Sequence, residues 1–323
     1  MKFTLTKKLF MVSTNDIPNI VVLMSAYNSG LFIKEQLDSI RKQKNVIVHL
    51  LVRDDGSDDN TLDIIKTYKS SYPDFDMRVL SGNNVGYVDS FFSLVGTALL
   101  SYSDCDYFAF SDHDDVWLDD KLIVAYDSLA KAGFETSEPA LYCANALMVD
   151  SNLHVIGLFR ENAPEITKPS CLIQNIVTGC TTLFNRKAAE LFAGYKIPEI
   201  VVHDQFLYII CTLLGHTVYD PIPHILYRQH STNQVGKPSL LKRLKNSLKK
   251  LPQNTHSLEI RARNVLSCFY DLLDDDSREL VAELAFYRNS LKNRIRLLLD
   301  SRFRYHSFFS NIVFKFKIII GRV

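Results

Sequence analysis

The sequence predicts an α/β protein: a mostly parallel central sheet covered by helices on both faces, followed by a helical C-terminal extension. Three observations carry this. Short β-branched and aromatic runs alternate with helix-period patterns over the first 130 residues. Those runs are apolar almost throughout, as strands buried on both faces are. After residue 238 nearly every segment has helical periodicity.

Taken in order, IVVLMSAY (20–27) reads as a strand, Ile33, Leu37 and Ile40 recur at helical spacing, and VIVHLLVRD (46–54) is strand again. Next come a helix with Leu62, Ile65 and Tyr68 on one face, a strand at 77–80, a helix through Phe91, Phe92, Val95 and Leu99, and the strand DYFAFS. Such βαβαβαβ alternation places ligands beyond the carboxyl ends of the strands. From about 139 to 227 the pattern shifts to longer strands with hairpin-like turns, interrupted by helices near 186–194 and 204–214, with a further helix expected to start near Trp117. The expected organisation is one catalytic domain over 1–238, with halves at about 19–130 and 131–238, and a helical, basic region over 239–323. The join lies near 235–255, where Pro238 and Pro252 punctuate the chain.

The strand ends carry SAYNSG, RDDGSDDNT, SGNNVG and SDHDDVW. Gly30, Gly56, Ser57 and Gly86 fit turns and helix caps as well as a binding crevice. Capping does not explain Asp54 with Asp55, or Asp112 with Asp114, because a cap needs one acceptor.

Composition sets outer bounds. The 323 residues are 47% hydrophobic and 23% charged with net charge +1, so no general attraction to nucleic acid is expected. Acidic residues nevertheless concentrate before 150 and basic ones after 235. Six cysteines are scattered without metal-type spacing, mostly in apolar runs, which suits reduced thiols in a cytoplasmic protein. The N-terminal apolar patch LFMV is too short for a secretion signal, and no run approaches the roughly 18 apolar residues of a membrane span.

Neither a GxxxxGK[ST] loop nor a GxGxxG after the first strand is present. Phosphate would instead be handled through a divalent cation on Asp side chains, since Mg²⁺ or Mn²⁺ takes oxygen ligands and completes its shell with substrate phosphates. Adjacent carboxylates that repel one another become favourable once a cation lies between them.

Together SAYNSGLFIKEQLDSIRKQ, RDDGSDDNT, NVGYVDSF, SDHDDVW, TGC (178–180), HDQF (203–206) and YRQHSTNQVG (227–236) resemble the inverting nucleotide-sugar glycosyltransferases of family 2, in the rhamnosyltransferase-rich branch that builds bacterial surface polysaccharides. The resemblance covers roughly 19–237 and implies the GT-A type, Rossmann-like three-layer α/β/α sandwich. It also implies a metal-dependent transfer of a sugar, dTDP-rhamnose as first expectation and a UDP-hexose next, to a hydroxyl of a glycan or lipid-linked acceptor. By that resemblance Asp54 accepts from the donor base, Ala26, Asn28 and Asp55 line the nucleotide pocket, and Asn84 and Gly86 shape it. Asp112 faces the ribose or the metal and Asp114 ligates the metal, Mn²⁺ or Mg²⁺, with His230 completing its shell. Arg228 and Gln229 meet the diphosphate, and Thr178 and Gly179 form the acceptor floor. His113 stands where the branch usually has glutamine and is read as an outward bystander, with Asp115 as a helix cap.

By the same resemblance Asp204, at the start of an apolar helix, is the base. It takes the acceptor's hydroxyl proton, a contribution of about 10²- to 10⁴-fold, although an Asp there also suits a helix N-terminus. Trp117 has two readings, stacking on an acceptor sugar or packing on the sheet. The basic helix at 239–250 and the tail FFSNIVFKFKIIIGRV suit either the cytoplasmic face of an anionic membrane or helix packing and self-association. Rival readings are a nucleotidyltransferase, which would need a basic glycine-rich loop that SAYNSG lacks, and a catalytically inactive partner subunit, which would have no need for Asp112, Asp114 and Asp204 together.

Overall fold

The computed structural model describes residues 17–134, 136–195, 202–229 and 257–323. The first half follows the expected order: β1 (Asn19–Ala26), α1 (Ile33–Arg41), β2 (Ile47–Asp54), α2 (Thr61–Ser71), β3 (Met77–Ser81), α3 (Tyr87–Ser101) and β4 (Tyr107–Ser111). There follow β5 (Val116–Trp117), α4 (Lys121–Ala132), β6 (Ala140–Ala144), β7 (Leu147–Val149), β8 (Val155–Leu158) and α5 (Lys168–Ile173). The next elements are β9 (Leu183–Asn185), α6 (Arg186–Gly194), α7 (His203–Leu214), β10 (His216–Asp220) and β11 (Ile225–Arg228). The C-terminal region contains α8 (Ser257–Phe269), α9 (Asp275–Ala285), α10 (Leu291–Leu299) and α11 (Phe308–Ile319).

Seven strands form the central sheet in the order β10-β6-β9-β4-β1-β2-β3. Every pairing is parallel except those of β9, which runs antiparallel between β4 and β6. Alternate residues of β1 feed opposite layers, as the two-residue strand period requires. Ile20, Val22 and Met24 pack with Leu37 and Ile40 of α1, Ile65 of α2 and Leu122 of α4. Val21 and Leu23 pack with Phe91 and Val95 of α3, Phe192 of α6 and Phe206 of α7. This is the expected three-layer sandwich. The same second core continues without interruption into Val265 of α8, Leu280 of α9, Leu297 of α10 and Ile318 of α11.

Two local expectations are corrected. The segment at Trp117 is a strand, not a helix start: β5 pairs with β11, and α4 begins only at Lys121. Of the hairpin-like turns, only that between β7 and β8 joins paired neighbours; β6/β7 and β10/β11 each divide between the main sheet and a four-stranded sheet ordered β5-β11-β7-β8. The chain turns that corner at buried Asn145, whose side chain accepts from Arg160 N (3.0 Å) and donates to Arg160 O (2.8 Å). Between α9 and α10 the chain makes a short turn at 287–290, where Ser290 caps α10 by accepting from Asn293 N. The basic helix expected at 239–250 and the join at 235–255 lie outside the described residues.

The six cysteines are free thiols, five of them buried. Among the described residues no helix is long and apolar enough to cross a membrane.

Candidate active site

The ends of β1, β2 and β4 converge on one edge. Ala26 and Asp54 are register partners that close β1 and β2, so the loops after them start side by side. Asn28, at φ 48°, lies in the left-handed region that Asn tolerates. It donates from its backbone N to Ser57 Oγ (3.0 Å) and accepts at Oδ1 from Asp58 N (2.9 Å). Asp54 is buried and accepts from Ser57 Oγ (2.5 Å). Asp55 is buried, pairs with Arg53, and accepts from Val85 N (3.0 Å) and Gly86 N (2.9 Å). It thus binds the 84–86 loop to the β2 end. Asn84 is exposed on that loop, and Gly86 opens α3 at φ 82°, where a side chain would be strained. A Cβ on Gly56 would come 2.8 Å from Asn84 N, so that glycine allows the two loops to touch.

After β4 the chain turns through Asp112, His113, Asp114 and Asp115. One ligand atom each from Asp112, Asp115 and Cys180 lies within 4.8 Å of the other two. Asp115 and Cys180 are fully buried, and Asp112 is half-buried. Asp115 is therefore not a helix cap: one oxygen accepts from Arg228 N (3.0 Å), and Oδ2, also buried, has no hydrogen-bond partner. Burial, with Asp114 and then Asp204 adding repulsion, raises Asp112 to about 7. Burial first, then Asp114 and Asp112, pushes Asp115 well above the ordinary carboxyl range. A divalent cation would remove that repulsion, so the cluster fits one; the oxygen ligands suit Mn²⁺ or Mg²⁺, and the sulfur is a softer addition. His113 is half-buried, not outward. His230 lies outside the described residues.

Two expected ligand contacts are corrected here. Arg228 is 1% exposed and its guanidinium is committed within the protein. Nε donates to Asp114 O (2.8 Å), one terminal nitrogen to Ser151 O (2.5 Å) and the other to the Glu35 carboxylate, while its face covers Phe32. It braces the acidic turn and is not available to a diphosphate. Gln229 is half-buried and donates to Arg228 O (3.3 Å). Trp117, 2% exposed, cannot stack on an acceptor sugar. Its ring lies 3.7 Å from Lys121 Nζ, a buried amine lowered to about 7 by desolvation, with Cys180 and then Asp115 opposing that shift.

Asp204 enters at the N-terminus of α7. It accepts from Asn175 Nδ2 (2.9 Å) and Gly179 N (3.1 Å), and burial raises it to about 6 against those hydrogen bonds. Gly179 and Cys180 share one tight helical turn with Thr181, which Thr178 opens by accepting from Thr181 N (2.9 Å). A Cβ on Gly179 would meet His203 Nε2 at 2.8 Å, and that ring is stacked on Phe91 at 4.0 Å. Burial holds His203 neutral, lowered to about 3.

Sequence reasoning missed Asp115, Cys180, Asn175 and Tyr87. Tyr87 begins α3 and is raised by burial, then by the charges of Asp204 and Asp112, so both carboxylates act on its hydroxyl. The β-branched and aromatic pair VW was the available signal that Asp115 precedes a strand.

The fold is that of GT-A glycosyltransferases. Staphylococcus aureus TarS 1-349, solved in complex with UDP-GlcNAc, superposes with a TM-score of 0.55 at 16% identity, covering 88% of this chain and 78% of that one. Residues 21–191, more than half of the chain, match the Glycosyl transferase family 2 profile, and the chain belongs to that family. Asp204 and Arg228 lie beyond the matched segment. The chain is 33% identical over 228 residues to dTDP-rhamnosyl transferase RfbG of Shigella flexneri, covering 66% of this chain and 73% of that protein. It is 25% identical over 188 residues to UDP-Glc:alpha-D-GlcNAc-diphosphoundecaprenol beta-1,3-glucosyltransferase WfgD of Escherichia coli, covering 58% and 67%.

Proposed function

We propose that this glycosyltransferase moves a sugar with inversion from a nucleoside diphosphate donor, dTDP-rhamnose first and a UDP-hexose second, to a hydroxyl of a glycan or lipid-linked acceptor in bacterial surface polysaccharide synthesis. The observation that carries it is the proximity of two acidic groups: a half-buried carboxylate, Asp204, oriented by Asn175 and Gly179, and the cluster after β4, where the charge of Asp204 acts on Asp112. Similarity to the Shigella rhamnosyl transferase supports the donor.

The residues divide the work. Ala26, Asn28, Asp54 and Asp55, with Asn84 and Gly86, form the edge assigned to the nucleotide. Asp112 and Asp115, with Asp114 in the same turn, would hold Mn²⁺ or Mg²⁺. When bound, that ion supplies Lewis-acid stabilisation of the leaving diphosphate. Asp204 takes the proton of the attacking hydroxyl while the bond from the anomeric carbon to the diphosphate oxygen breaks on the opposite face. Thr178 and Gly179 border the acceptor side. His203, neutral and packed, keeps the Gly179 turn in place.

The test is release of nucleoside diphosphate by the full chain with Mn²⁺ and dTDP-, UDP- or GDP-sugars, together with donor-induced thermal stabilisation. Strongest stabilisation by dTDP-rhamnose is expected. Absence of stabilisation by every nucleotide sugar in the presence of metal would sink the reading.

A further inference from the structure

Cys180 has no role in the reaction as derived above, yet it lies at the centre of the site. Its thiol is within 4.8 Å of ligand atoms of both Asp112 and Asp115 and is fully buried. Asp115 Oδ2, buried and without a hydrogen-bond partner, belongs to the same group. Such an oxygen normally carries an unmet desolvation cost. Two carboxylate oxygens and a sulfur at this separation can reach one ion, because metal–oxygen and metal–sulfur bonds are each about 2–2.5 Å.

We propose that Cys180 is a ligand of the divalent cation together with Asp112 and Asp115, so that the site is a mixed oxygen and sulfur site favouring Mn²⁺ or Co²⁺ over Mg²⁺. This rests on the metal-dependent reading above and adds a ligand and a selectivity to it. On binding, the S–H bond breaks, a metal–sulfur bond forms, and the proton leaves to solvent. Sulfur is a poor ligand for Mg²⁺ and a better one for later first-row ions, which sets the direction of the preference.

The turn that holds Cys180 also holds the base. Gly179 N donates to Asp204 Oδ2 (3.1 Å), and Cys180 is the next residue. Two adjacent backbone positions therefore set the separation between the proton acceptor and the ion.

Co²⁺ bound to thiolate absorbs in the near ultraviolet through charge transfer, which reports the ligand independently of turnover. The full chain loaded with Co²⁺ is expected to show this band. Cys180→Ser should lose it and lower the Mn²⁺-over-Mg²⁺ preference by about tenfold, while Cys143→Ser, altered elsewhere in the core, should keep both. X-ray absorption of the Mn²⁺-loaded natural sequence, which needs no variant, should find a sulfur at bonding distance. Co²⁺ binding by dialysis without the band, or a band that survives in Cys180→Ser, overturns the Cys180 assignment alone. Failure of Mn²⁺ and Co²⁺ to bind at all overturns both this assignment and the metal-dependent reading beneath it.

Discussion

At Asp204, burial and hydrogen bonding act in opposite directions, and burial wins: the carboxyl is raised to about 6 despite donors from the Gln205 backbone, the Asn175 side chain and the Gly179 backbone at a helix N-terminus. A base raised towards neutrality accepts a proton more readily and is still ionised at pH 7. Transfer is therefore expected to fall as pH drops through about 6, measured as kcat at saturating donor. Asp204→Asn should reduce kcat by about 10²- to 10⁴-fold while leaving donor-induced thermal stabilisation intact, since the nucleotide edge is elsewhere. Stability carries a second signature. Asp204 and Asp112 have folded values above the ordinary 3.8, at about 6 and about 7, so their stabilising contribution is complete below about pH 4 and is lost as pH rises to 7. Lys121 has a folded value below its ordinary 10.5, so its contribution is present above about 10.5 and is lost as pH falls through about 7. The two carboxyls therefore add stability to the metal-free protein as pH falls from 7, and Lys121 adds it as pH rises from 7, each superposed on the titration of the other groups. Thermal melts of the chelated protein compared by difference check this: the natural sequence minus Asp204→Asn should gain on the acid side, and the natural sequence minus Lys121→Met on the alkaline side; difference curves independent of pH contradict it.

The elements that carry the site are held by contacts that sequence patterns predict unevenly. Strands β1 to β4 and the helices between them were legible because each is a local periodicity with a long apolar run. The placing of Asp54 and Asp112 at one edge followed from strand polarity in a parallel sheet, whereas Asp204, at a helix start, was assigned through resemblance. Arg228 was misassigned because its partners, Glu35, Asp114 and Ser151, are distant in sequence and meet only when β11 joins β5 and β7. The same pairing hid the burial of Trp117 and Asp115, since β5 is two residues long and has no period of its own. This element-level bracing has a measurable consequence. Arg228→Met leaves the Asp114 and Ser151 carbonyls without their donors and should cost about 2 kcal/mol or more, weakening metal affinity more than nucleotide affinity, as read by calorimetry of each ligand separately. Gly179→Ala pushes a Cβ into His203, whose ring is fixed against Phe91. A destabilisation of about 1–3 kcal/mol by chemical denaturation is expected, with loss of transfer because Gly179 N also orients Asp204.

Across the whole molecule, the C-terminal helices complete a core and leave a second apolar surface uncovered. Val265, Leu280, Leu297, Phe314 and Ile318 continue the core of the α3, α6 and α7 layer, so this region is anchored to the catalytic sheet. On the outward side Leu291, Ile295 and Leu299 recur every four residues along α10, and Phe308, Ile312, Phe316 and Ile319 follow a similar spacing along α11, all at least 46% exposed. Lys292, Arg294, Lys315 and Arg322 accompany them, while Asp300, the one acid from 291 to 323, is paired with Arg302. An apolar helical face with basic neighbours matches the boundary of an anionic bilayer, where buried apolar area and attraction to lipid headgroups add. We propose that this surface rests on the cytoplasmic membrane face and brings the crevice to lipid-linked acceptors. Flotation with vesicles rich in phosphatidylglycerol should carry the full chain, and neutral vesicles or high salt should carry far less, because the electrostatic part is screened. Phe308→Ser with Phe316→Ser, both on exposed positions, should abolish flotation while donor-induced stabilisation persists. Equal flotation of the variant and the natural sequence would assign membrane contact elsewhere, and concentration-dependent dimerisation lost in the same variant would assign this face to a second copy of the chain instead.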